Sequence, residues 1–136
     1  NQVLLAPILA YSRALGAVVK PECRAGRDRR SGYVDLLVDH GGSRVAVEAE
    51  RSPDRVVKDV AKATAVGADL LLVVVPNARV ERAARKRLAA AVGGARRPRI
   101  FVLPLGRAVQ HLEKCFPLNP ASNMAGNKRP GKKSPA

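Results

Sequence analysis

The stretch DLLLVVVP, residues 69–76, constrains the fold more than any other part of the chain. Six consecutive apolar residues between an acid and a proline are too few to cross a bilayer. They are also too uniformly apolar for a strand with one face in water. They describe a central strand of a parallel sheet, buried on both sides. Parallel neighbours require crossover connections, usually helices, so the rest of the chain must supply helices for both faces.

It does. Residues 2–17 read as a helix with Val3, Leu4, Ile8, Tyr11 and Leu15 on one face. That opening carries Arg13 and no basic leader, so it reads as a helix of the domain rather than a secretory signal. Residues 18–23 form a short strand, placed at an edge by Pro21. Residues 24–32 form an arginine-rich loop. Strands at 33–39 and 44–50 flank HGGS, whose Gly41-Gly42 centre is a hairpin signal. In SPDRVVKDVAKATAVG, Ser52 suits a helix N-cap, Pro53 the first helical position and Gly67 the stop. A helix over 78–92, a strand over 99–104 and a helix over 105–115 complete the order αβββαβαβα. The expected fold is α/β, a mixed central sheet flanked by helices on both faces. Residues 1–116 form the domain, and residues 117–136 a basic disordered tail rich in Pro, Gly, Ser, Asn and Lys.

Charge narrows the partner. Lys plus Arg number 25 against 11 acids, a net charge of +14, which points to a polyanion, with nucleic acid as the default and DNA its expected form. Aromatic residues are too scarce for a single-strand binder built on stacking platforms. Cys23 and Cys115 are too few and too far apart for a zinc site or a disulfide framework. Reduced thiols and the lack of a membrane span give the expectation of an intracellular, cytoplasmic protein.

Against that basic background, the hairpin places acids among Val, Leu and Ala. A turn at Gly41-Gly42 sets His40 opposite Ser43 and Asp35 opposite Glu48. Side chains alternate along strands, so Glu48, Glu50 and Asp35 are expected on one face. Val34, Leu36, Val38, Val45, Val47 and Ala49 fall on the other. Opposed like charges weaken a hairpin, and a hard divalent cation such as Mg²⁺ (or Mn²⁺) removes the penalty. Asp39 and Arg44 read as an ordinary surface ion pair.

An aspartate in mid-strand, a hairpin, then acid-x-acid late in the next strand resembles the PD-(D/E)XK nuclease superfamily, of restriction-endonuclease-like fold. The element order over residues 2–104 is similar as well. The resemblance implies that Asp35, Glu48 and the Ala49 carbonyl hold a catalytic metal, with Glu50 in place of the usual lysine. In other members of that superfamily the lysine stands on the following helix, where Lys58 or Lys62 could take the missing amine's part, Lys58 being the first candidate. Cleavage of both strands would pair two sites in a homodimer.

The function expected is metal-dependent phosphodiester hydrolysis of nucleic acid, an endonuclease-like activity. Asp35, Glu48, Glu50 and Lys58 would carry the chemistry, and Asp35, Glu48, Ala49 and Glu50 the metal. Arg24, Arg27, Arg29, Arg30, Arg51 and Arg55 would grip backbone phosphates. The alternative is a non-catalytic DNA-binding module on a degenerate nuclease fold. His40 and His111 lack metal-ligand partners at a telling spacing, and DHGGSR is a turn rather than a phosphate loop.

Overall fold

The computed structural model describes residues 2–27, 31–92 and 98–116. The expected tail at 117–136, and Arg29 and Arg30 of the arginine loop, lie outside the described residues. The order is α1 (Gln2–Leu15), β1 (Val18–Arg24), β2 (Tyr33–His40), β3 (Ser43–Ala49), α2 (Val56–Ala65), β4 (Leu70–Val75), α3 (Ala78–Ala91), β5 (Arg99–Pro104) and α4 (Leu105–Cys115). A single 3-10 turn, Pro53–Arg55, leads into α2, and the Ser52 hydroxyl accepts the Asp54 amide at 3.2 Å.

The five strands form one mixed sheet in sequence order. β1, β2 and β3 run antiparallel, whereas β3, β4 and β5 run parallel. β4 lies between β3 and β5, and all six of its residues are buried, as the uniformly apolar run DLLLVVVP requires. Its even-numbered residues Leu70, Leu72 and Val74 pack with α1 and α4, and Leu71, Val73 and Val75 pack with α2 and α3. Pro21 sits on β1, which pairs only with β2 and is therefore an edge strand.

The hairpin register is the expected one, with His40 opposite Ser43 and Leu36 opposite Val47. Two details differ. On α1 the buried residues are Leu4, Ile8, Ser12 and Leu15, while Val3 is 73% exposed. Ser12 is tolerated there because its hydroxyl donates to the Ile8 carbonyl at 2.8 Å. On β2, Leu36 and Val38 face α1 and α4, but Val34 joins the α2–α3 core instead of sharing their face. The side-chain alternation slips by one residue between Val34 and Leu36. Beside this slip on β1, Glu22 has φ of 49°, the one described non-glycine residue in the left-handed region.

Candidate functional site

β3 fixes the first two acids. Val45, Val47 and Ala49 face α1 and α4, so Glu48 faces α2, where it is 1% exposed. Glu50 follows on the same side, its amide donating to the Val74 carbonyl of β4 at 2.9 Å. α2 supplies the rest. Its buried face comprises Val56, Asp59, Lys62 and Ala63, so an acid and a lysine are carried into the layer between helix and sheet.

Carboxylate oxygens of Glu48, Glu50 and Asp59 all lie within 4.8 Å of one another. Lys62 Nζ stands 3.1 Å from Glu48 Oε2 and 3.5 Å from Asp59 Oδ1, and donates to the Tyr33 carbonyl at 2.8 Å. Beyond these ion pairs, Glu48 Oε2 and both oxygens of Asp59 are buried with no hydrogen-bond donor when ionised. One ammonium against three carboxyl groups leaves an excess of potential negative charge beneath α2. Burial, chiefly, pushes Glu48 up to about 7, with the Asp35 charge adding to it and Lys62 opposing. Burial drives Asp59 further above the usual carboxylate range, and a proton there allows a hydrogen bond to Glu50.

The expected trio is therefore rearranged. Asp35 is not a member of the clustered group, because the slip after Val34 turns it out of the alternation that would have aligned it with Glu48. It lines a groove of about 510 Å³ with Leu5 and Leu9 of α1 and with Glu22. Asp35 and Glu48 nevertheless cross-brace the end of the hairpin. The Ala49 amide donates to Asp35 Oδ2 at 2.8 Å, and the Asp35 amide donates to Glu48 Oε1 at 3.3 Å. Each carboxylate replaces a ladder partner that the splaying strands no longer provide.

Of the two lysines considered for α2, Lys62 meets the acids. Lys58 is exposed one turn earlier, at the mouth of a small cavity shared with Ser31 and Lys62. Asp59 is the residue that reading the sequence missed. Its signal was present: Val56, Asp59, Val60 and Ala63 lie at helical spacing, so an acid interrupts an apolar stripe, with Lys62 beside it. A charge on a buried face needs a partner or a purpose. Arg24, Arg27, Arg51 and Arg55 are all exposed, as phosphate contacts would have to be, and Arg24 Nη2 donates to the Arg27 carbonyl at 3.2 Å.

No protein-family model matches the chain, and no curated protein or solved structure matches it significantly. Among the described residues, no helix is long and apolar enough to cross a membrane.

Proposed function

We propose that this protein is a metal-dependent phosphodiester hydrolase acting on nucleic acid, related to the restriction-endonuclease-like nucleases. One observation carries the reading: Glu48, Glu50 and Asp59 converge within 4.8 Å, with a single lysine set against three carboxyl groups. Hard oxygen donors of this kind suit Mg²⁺ or Mn²⁺, and surplus carboxylate charge is what such an ion would neutralise. The net charge of +14 supports a polyanionic substrate.

Glu48, Glu50 and Asp59 would hold the ion, which when bound supplies an activated water and stabilises the leaving oxygen. Glu50, the least buried of the three, has the solvent access that a proton acceptor would need. Lys62, anchored on the Tyr33 carbonyl, acts as a positioning residue that holds Glu48 and Asp59 together. Asp35 acts as a positioning residue, bracing the Ala49 amide and hence the backbone between Glu48 and Glu50. Protons leave the carboxyls as a cation enters, so activity rises with pH through the neutral range.

A second reading, a DNA-binding module without chemistry, draws on the Lys62 ion pairs, which already satisfy part of the acid charge. A plasmid-nicking assay with Mg²⁺ or Mn²⁺ separates the two, comparing wild type with Glu48→Gln and Asp59→Asn. Metal-dependent nicking abolished by either substitution sustains the hydrolase. DNA binding with no nicking leaves only the module.

A further inference from the structure

The outward face of α3 belongs to neither the acid cluster nor the arginines before β2. This helix carries five basic residues and one acid over 14 positions. Its inward side is set by Glu81, Ala84 and Leu88, all buried. Arg79, Arg82 and Lys86 fall at i, i+3 and i+7, which places them together on the side of the helix opposite that buried stripe. All three are exposed, and none has an acidic partner among the described residues.

The single acid of the helix is withdrawn from this face. Glu81 accepts Arg107 Nη2 at 2.7 Å through one oxygen and Arg85 Nη2 at 2.8 Å through the other. Arg87 is spent on Asp54 at 3.0 Å, a pair that ties α3 to the turn following Glu50. What remains outside is a ridge of three uncompensated cations flanked by Ala83, Ala89 and Ala90. Like charges at i, i+3 and i, i+4 weaken a helix by a few tenths of a kcal/mol per pair, so the ridge contributes nothing to folding.

We propose that the Arg79–Arg82–Lys86 ridge is a docking surface for the phosphate backbone of duplex nucleic acid. The small alanines let a phosphate strand approach the helix closely, and the three cations track it without reading sequence. A membrane-surface helix would place large apolar residues beside its cations, and here Val80 and Leu88 turn inward. A protein partner would want aromatic or aliphatic anchors at the centre of the patch, and there are none. The proposal rests on the hydrolase reading for its substrate class, though not on the acid cluster being active.

The test measures binding of a short fluorescent DNA duplex by anisotropy, in chelator, across about 50 to about 200 mM salt. The variants are R79Q/R82Q/K86Q and a charge-matched control on the α1–α4 side of the sheet, R13Q/R99Q/K114Q. Glutamine keeps helix propensity near that of Arg and Lys, so α3 is retained. The ridge variant is expected to bind roughly tenfold to a hundredfold more weakly, with the salt slope reduced by about three. The control is expected to lose much less. Equal losses in the two variants, or no loss in the ridge variant, overturn the proposal. So does a wild type that ignores the duplex and binds phosphatidylserine vesicles instead. Because chelator removes any cleavage, a failed nicking assay with intact ridge-dependent binding sinks only the hydrolase reading.

Discussion

The β2–β3 hairpin carries acids at both ends, and the two ends treat them in opposite ways. At the turn, Asp39 receives Arg44 through two hydrogen bonds of 2.8 and 3.0 Å, and the Arg44 guanidinium holds its carboxyl below the usual value. Arg44 also donates to the Val66 carbonyl at 2.8 Å, and its amide donates to Asp69 Oδ2 at 2.9 Å, so the network closes. At the far end, Glu48 and Asp59 are more deeply buried, share one lysine and are pushed upward. An acid kept for structure is matched to a guanidinium at the surface; acids kept in surplus under a helix cost stability. That contrast is the physical argument for a function at the second end and not at the first.

The contrast breaks most sharply at Lys62. Lys62→Met strips the buried acids of their counter-ion and is expected to cost about 3–5 kcal/mol in urea unfolding at neutral pH. The deficit should shrink near pH 5, where Glu48 and Asp59 are protonated; an equal deficit at both pH values would show that Lys62 acts by packing alone. Next comes Asp59→Asn, which should cut metal-dependent nicking by at least about a hundredfold while leaving the protein folded. Retained nicking removes Asp59 from the ligand set.

The pH dependence sharpens the comparison further. Glu48 holds its proton more tightly folded than unfolded, 4.5 rising to about 7, so the folded state binds more protons across that window. Stability is therefore greatest below about pH 4.5 as far as this group is concerned, and falls as pH rises towards 7, by on the order of 2 kcal/mol. Asp39 has the opposite sign, contributing above its unfolded value and losing that contribution as acid is added. Thermal melts in chelator should show the decline from pH 5 to pH 8, and Mn²⁺ should oppose it. Melts that are flat over that range would remove the strained-acid account.

Smaller effects follow at the edges. Asp35→Ala leaves the Ala49 amide without its acceptor and should cost about 1–3 kcal/mol, read in the same urea titration. Asp39→Asn at the turn should cost less than about 1 kcal/mol, since the pair is partly exposed. If Asp39→Asn proved the costlier of the two, the ranking of the hairpin's two ends would be inverted.

Much of this was legible in the chain. The uniform apolar run at 70–75 demanded two covering layers, and Gly41-Gly42 set the hairpin register that is observed. The spacing of Glu48 and Glu50 already put them on one side of β3. All of these follow from local periodicity and turn chemistry, which act over a few residues. Tertiary structure decided the company those acids keep. A one-residue slip in alternation beside Glu22 turned Asp35 towards α1, and no strand pattern announces such a slip in advance. The angle at which α2 lies on the sheet chose Asp59 and Lys62 over Lys58, because a helix rotated about its axis buries a different set of side chains. Which charges meet inside a protein is fixed by packing between elements far apart in sequence, and only the folded chain brings them within a few ångströms.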